Sequence, residues 1–412
     1  MSSRLRDLAE VHYGKSPNDV LSEDSTVPVI GTGGIYGRAS RSLFSGPAVV
    51  VARKGTLGNP QFVDEPFWPV DTTYAVLAKP GVDTKWLYYS LAVFDLTKLN
   101  EATGVPSISR DWLYKVPLGT TNFETQRRIA EILSTLDKAI EQTEALIAKH
   151  KQIKAGLMHD LFTRGVTPDG HLRPTREQAP DLYKESPLGW IPKEWKVISI
   201  ADAFEIQLGK MLNKLAKTGK WSAPYLGNRA VQWDFVDCMA IEEMDFTPTE
   251  RQKFSLECGD LLVCEGGDVG RTAMWRGEIE GCYYQKAIHR LRPKSECALP
   301  AFMLRFMRFA RESGYFREFT SQSSIAHLTQ EKLGIMPMLL PKPEEQKCIA
   351  ERFDAHDELI QSEQTKLTKL RQQKHGLMHD LLTGVCVFLN PPMLRYEARL
   401  NHLWMKKTIR RR

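Results

Sequence analysis

No stretch of this 412-residue sequence is apolar for long enough to cross a bilayer. The most apolar runs, such as Pro47 to Val51 and Leu261 to Cys264, have the length of single strands. The opening MSSRLRDLAEVHYGK lacks the apolar core of a secretory signal, so no export signal is read there. The seven cysteines, at 238, 258, 264, 282, 297, 348 and 386, include no C-x-x-C pair, and no histidine cluster supplies the remaining ligands of a zinc site. Scattered thiols in odd number fit a reducing, cytoplasmic setting, and no metal or cofactor is implied. Charge of one sign is also scarce. Lys and Arg total 56 against 50 Asp and Glu, a net +6 that fits nucleic-acid binding without demanding it.

Proline is missing where it matters most: none lies between Glu124 and Val166 or between Glu344 and Asn390, so neither segment contains a hard helix break. These two segments are copies of each other. Gln126, Ile129, Ala130 and Glu131 return as Gln346, Ile349, Ala350 and Glu351, and Gly156-Leu-Met-His-Asp-Leu161 returns as Gly376-Leu-Met-His-Asp-Leu381. The offset, 346 less 126 or 376 less 156, is 220 both times, with no insertion between the matches. Apolar residues repeat every seven positions. The first copy has Ile129, Leu133, Leu136, Ile140, Ile147, Leu157 and Leu161, and the second Ile349, Phe353, Ile360, Leu367, Leu370, Leu377 and Leu381. Lys154 and Lys374 occupy one seam position each. The pattern predicts two coiled-coil helices that pack on each other. At about 1.5 Å per residue, about 40 residues make roughly 60 Å of helix. Thr121-x-x-Glu124 reads as a capping box for the first, and Pro343 as the first residue of the second.

Ahead of each helix lies a mixed region with a thin shared skeleton. Pro28-Val-Ile-Gly31 matches Pro224-Tyr-Leu-Gly227, and Val49–Gly58 matches Leu261–Gly270 at an offset of 261 less 49, or 212. In both, an apolar strand runs into a glycine-flanked turn. The expected organisation is α/β (α+β): a globular domain over 1–122, a long helix over 123–165, a linker over 166–195, a second globular domain over 196–342, a second long helix over 343–383 and a basic tail over 384–412. Together they form a pseudo-two-fold internal repeat with antiparallel helices. The linker reading rests on five prolines, Pro168, Pro174, Pro180, Pro187 and Pro192. The tail, ending in Lys406, Lys407 and Arg410–Arg412, reads as solvated, with a phosphate-contacting arm as the sharper alternative.

Three enzyme-like patterns fall on unpromising ground. Gly14-Lys15-Ser16 loosely fits a phosphate loop, but Pro17 follows at once and Gly209-Lys210 repeats the pair, so it reads as repeat skeleton. Asp181 with Glu194 and Lys196 has the residue types of a metal-dependent nuclease, set in the proline-rich stretch. Asn390-Pro-Pro-Met393 lacks the aromatic that an amino-methyltransferase stacks on a flipped base. No catalytic residue is assigned.

The combination of Gly46–Gly58, Asp71-Thr-Thr-Tyr74, Gly189-Trp-Ile-Pro-Lys-Glu-Trp195 and the two helices ending in Gly-Leu-Met-His-Asp-Leu resembles the specificity subunits of type I restriction–modification enzymes, over about residues 4–384. The resemblance implies a non-catalytic subunit with two target-recognition domains, each reading half of a split, asymmetric site in double-stranded DNA. It also implies helices that set the gap between half-sites and dock two methyltransferase subunits, with restriction subunits joining the complex. A specificity module of another modification system, or a metal-dependent nuclease, are the alternatives. The candidates for DNA contact are Arg38, Arg41, Arg53, Lys54, Ser107 and Arg110 in the first copy and Asn228, Arg229, Arg271, Arg276, Ser323 and Ser324 in the second. Arginine forks onto guanine or pairs with phosphate, and asparagine reads adenine. The helix-packing candidates are Leu133, Ile140, Ile147, Leu157, Leu161, Phe353, Ile360, Leu367, Leu377 and Leu381.

Overall fold

The computed structural model describes residues 2–212, 218–318 and 327–383. The chain divides into two compact units: 1–145 with 364–412, and 146–363. Ser323, Ser324, Cys386 and the basic tail lie outside the described residues.

Unit 1 opens with β1 (Ser2–Arg4), α1 (Leu5–Leu8), β2 (Ala9–Tyr13), β3 (Val27–Gly31) and β4 (Gly34–Ala39). It continues with β5 (Ala48–Ala52), β6 (Gln61–Val63), β7 (Trp68–Pro69), β8 (Thr73–Ala78), α2 (Thr84–Val93), α3 (Arg110–Tyr114) and β9 (Pro117–Gly119). One sheet has the order β2-β8-β5-β6, all antiparallel, and a second the order β4-β3-β7, in which β3 and β7 run parallel. β5 is buried at every position because both its faces are covered. Val49 and Val51 join the core under α2, while Ala48 and Val50 face a smaller cluster with Ile30 and Phe67. The long helix α4 (Phe123–Thr163) follows. Its cap is not the expected Thr121: the Asn122 carboxamide oxygen accepts from the Thr125 amide at 2.9 Å, one residue later, because the helix starts at Phe123.

Unit 2 repeats this plan. After β10 (Tyr183–Ser186) and β11 (Gly189–Pro192) come β12 (Lys196–Ser199), α5 (Ile200–Ala203), β13 (Phe204–Leu208), β14 (Ser222–Leu226), β15 (Ile241–Asp245) and α6 (Pro248–Lys253). Then follow β16 (Leu261–Cys264), β17 (Thr272–Met274), β18 (Tyr283–Tyr284), β19 (Ile288–Pro293), α7 (Pro300–Glu312), α8 (Gln330–Ile335), β20 (Pro337–Leu340) and α9 (Pro343–Leu382). The sheet orders β13-β19-β16-β17 and β15-β14-β18 match those of unit 1 strand for strand, including the one parallel pair. β16 is again buried throughout, with Leu261 and Val263 on one core and Leu262 and Cys264 on the other.

The stretch expected to be a linker is folded, which corrects that reading. β10 and β11 form a hairpin, and Trp195 is buried with its Nε1 donating to Glu345 at 3.0 Å. Arg173, also buried, pairs with the same Glu345 carboxylate. Pro168 and Pro187 sit at turns and Pro192 ends β11, while Tyr183, Ile191 and Trp195 supply apolar area that a free tether would leave in water.

Each long helix contributes to both units. In unit 1, Asp137 meets Lys374 and Glu144 meets Arg371, so the two segments run antiparallel. Leu133 is fully buried there, Ile140, Leu367, Leu377 and Leu381 are partly buried, and Leu377 and Leu381 pack on the unit 1 core. In unit 2, Lys154 pairs with Asp357, Leu161 and Phe353 are fully buried, Ile147 is buried, and Leu157 and Ile360 are half-buried.

Candidate nucleic-acid interface

The glycine-flanked turn after β5 is the best-defined candidate surface of unit 1. Its backbone is pinned on two sides. The Arg53 and Lys54 amides donate to the Thr72 carbonyl at 2.8 and 3.1 Å, and the Gly55 amide donates to Pro106 at 2.9 Å. The Ile108 amide donates to the Arg53 carbonyl at 2.9 Å, and Lys54 bridges to Ser107. Gly55 and Gly58 take φ of +92° and +89°, a conformation that favours glycine. Arg53, Lys54 and Ser107 are thus carried on neighbouring loops, and Arg110 opens α3 just after them.

A residue the sequence reading missed joins them. The guanidinium carbons of Arg53 and Arg110 stand 5.3 and 5.2 Å from the ring centroid of Tyr13, which is 46% exposed. Beneath it, at 5.1 Å between ring centroids, lies the buried Tyr74, whose hydroxyl donates to the Ile108 carbonyl at 3.1 Å. Burial, helped by Tyr13, pushes the Tyr74 phenol up to about 12, so it stays a neutral donor. The signal for Tyr13 was its place at the end of β2, where the strand emerges from the core.

Arg38 and Arg41 belong to the three-stranded sheet region instead. Arg38, on β4, donates to the Thr26 carbonyl at 2.7 Å, and Arg41 lies 6.0 Å from the Trp68 ring. Nearby, Ser16–Asn18, Gly31–Tyr36 and Val70–Thr72 line an open depression of about 550 Å³, with Ile35 and Tyr36 projecting at its rim, 63% and 68% exposed.

In unit 2 the candidates diverge. Arg229 and Arg276 are exposed. Asn228 and Arg271, expected to face DNA, turn inward. The Asn228 amide donates to the Gly266 carbonyl at 3.0 Å, and Arg271 donates to the Asn228 carbonyl at 2.7 Å. They tie the β14 end to the turn after β16, because that turn has buried carbonyls needing donors. Cys264 behind them is pushed up to about 11 by burial, so it is a core thiol rather than a nucleophile.

The enzyme-like motifs resolve into structure. The Gly14 and Lys15 amides, which a phosphate loop would direct at its ligand, donate to Thr73 and Pro69 at 3.1 and 3.0 Å. Gly209 and Lys210 do the same in unit 2, to Ile288 and Tyr284, both at 3.1 Å. Glu194 turns to Arg173 at 3.5 Å. Among the described residues, no group of three or more His, Cys, Asp or Glu side chains is placed to hold a metal ion.

Comparison with known proteins agrees with this architecture. Residues 1–152 and 192–372 match the family model described as the type I restriction modification DNA specificity domain. The chain is 25% identical over 320 residues to the type I restriction enzyme MjaVIII specificity subunit of Methanocaldococcus jannaschii, covering 74% of this chain and 70% of that relative. Its fold is similar to the crystal structure of the type I restriction–modification S subunit from M. genitalium, with a TM-score of 0.60 and 16% identity, covering 93% of this chain and 96% of that one. It is also similar to a chain from a structural study of complex assembly and conformational transition in the type I system, with a TM-score of 0.56 and 15% identity over 92% and 97%.

Proposed function

The chain belongs to the type I restriction–modification DNA specificity family, and from that premise we propose that it reads a bipartite, asymmetric duplex site. Its role is that of a specificity subunit, which recognises DNA and leaves catalysis to other subunits. In this reading each unit addresses one half-site, and the paired helices fix the gap. One observation carries the asymmetry: the two units share strand order, yet the turns that follow the buried strands differ, with Arg53-Lys54 after β5 and Glu265-Gly266 after β16. Like scaffolds with unlike readers favour a non-palindromic target, as a dimer of like readers favours a palindrome.

The complex assigned here contains two methyltransferase subunits and restriction subunits. The repeat supports this, since each unit contains an antiparallel pairing of the same two helices, with the Lys–Asp pair of one recurring in the other, and so offers a similar docking face. The test is a methylome of the host with and without this gene. Disappearance of one split motif is the expected result; an unchanged methylome, in a host that expresses the partner subunits, overturns the assignment.

A further inference from the structure

The two units can be aligned residue by residue at the corner around Tyr13. Tyr74 donates to the Ile108 carbonyl, and at the same register His289 Nε2 meets the Leu328 carbonyl at 2.9 Å. The Ile108 amide donates to Arg53, and the Leu328 amide to Glu265 at 2.8 Å. Ser109 and Thr329 each cap the short helix that follows. This register sets Tyr13 against Leu208, Arg53 against Glu265, Lys54 against Gly266, Asp71 against Lys286 and Arg110 against Gln330.

The chemistry at the two corners is therefore different on one backbone. Unit 1 has three cations and one acid; unit 2 has one cation and one acid. Among the described residues neither Arg53 nor Arg110 forms an ion pair; Arg53 gives one Nη1 bond to the Asp71 carbonyl at 3.2 Å and keeps its other donors, and both guanidinium groups lie on an exposed aromatic ring. Glu101, in the adjoining loop, accepts from the Ser109 amide at 3.2 Å. In unit 2, Gln330 is tied to the Ile206 carbonyl at 2.9 Å. Arginines held by a ring, with their donors unspent on carboxylates, suit phosphate oxygens, and an acid in the same place repels them.

We propose that the Tyr13–Arg53–Arg110 corner, with Lys54, grips the DNA backbone phosphates of the first half-site, and that the described residues of the equivalent unit 2 corner form no such grip. The inference rests on the DNA-reading role and adds an unequal division of labour: unit 1 supplies sequence-independent affinity here that unit 2 does not.

The test uses the full chain assembled with its methyltransferase subunits, titrated against a duplex carrying the motif found by methylome mapping and against a scrambled duplex, between about 50 and 200 mM salt. Each lost phosphate contact lowers the slope of log K against log salt by about 0.9. Arg53→Gln with Arg110→Gln should therefore flatten the slope by roughly 1.8. It should also weaken both duplexes by the same factor. Arg53→Lys with Arg110→Lys should restore most of the slope, which a folding defect would not allow. Glu265→Gln should leave it unchanged. An unchanged slope in the double Gln variant, or a loss confined to the motif duplex, overturns the proposal. Failure of the wild-type complex to prefer the motif duplex would instead overturn the DNA-reading role.

Discussion

The ammonium group of Lys374 stands 2.5 Å from a carboxylate oxygen of Asp137, and the same pair recurs in unit 2 as Lys154 on Asp357. Both residues shift by the repeat offset of 220, so each helix supplies the acid of one pair and the base of the other. The seam lysines that interrupt the heptads are thus half of a repeated lock.

These pairs are only partly exposed, 24% and 26% for Lys374 and Asp137. Lys374→Met alone should cost about 1–3 kcal/mol, because it strands a half-buried carboxylate. Adding Asp137→Leu should recover much of that loss. Urea midpoints of the four proteins in a double-mutant cycle measure the coupling; strictly additive losses would show that the pair contributes nothing as a pair.

What stands behind each lock differs. In unit 1 the Tyr89 hydroxyl donates to Asp137 at 2.6 Å, whereas in unit 2 the buried Arg305 holds Asp234, Asp354 and Asp357 at 3.0, 2.6 and 3.0 Å. Removing Arg305 leaves Asp234 and Asp354 without their cation and Asp357 with Lys154 alone, so Arg305→Met should cost about 3–5 kcal/mol. Tyr89→Phe, which loses one hydrogen bond, should cost about 1 kcal/mol. Equal shifts in unfolding midpoint for the two variants would refute this ranking.

Much of the plan was legible in the sequence because a repeated helix leaves a repeated stripe. Leu133, Leu161 and Phe353 lie fully buried where the seven-residue pattern puts them. The folded 166–195 segment was hidden because five prolines read as a tether while its binding groups, Arg173 and Trp195, find Glu345 far along the chain. Asn228 and Arg271 make the same point: residue type signals DNA contact, but only the tertiary structure shows that each spends a donor on a backbone carbonyl.

Two glycines separate packing from binding. A Cβ on Gly14 would fall 2.0 Å from the Val70 carbonyl oxygen, and one on Gly209 would fall 2.3 Å from that of Gln285. Backbone cannot yield as a flexible side chain does, so Gly14→Ala and Gly209→Ala should each unfold their unit or destabilise it by about 3 kcal/mol or more. Gly33→Ala, with nothing within 4 Å, should leave stability unchanged while altering the rim of the unit 1 depression. Thermal melts compare the three, and a stable Gly14→Ala protein would contradict the close approach.

At one register of the repeat a histidine stands in one unit and a tyrosine in the other. His289 is fully buried, with Nε2 on the Leu328 carbonyl, and burial lowers its pKa despite that bond and the nearby Glu265. The folded state therefore binds fewer protons than the unfolded chain, and stability rises with pH across that window. The contribution is fully present above the ordinary histidine value of about 6.5 and is lost as pH falls through the lower folded value. Unit 1 carries Tyr74 at the same register with the same carbonyl bond, and it stays neutral throughout this range. Urea midpoints between about pH 7.5 and 5.5 should thus fall for the wild type. His289→Tyr should flatten that fall while keeping the bond, provided the larger ring is accommodated; His289→Gln checks the same point without added bulk. A slope unchanged in both variants would mean that the acid sensitivity lies elsewhere.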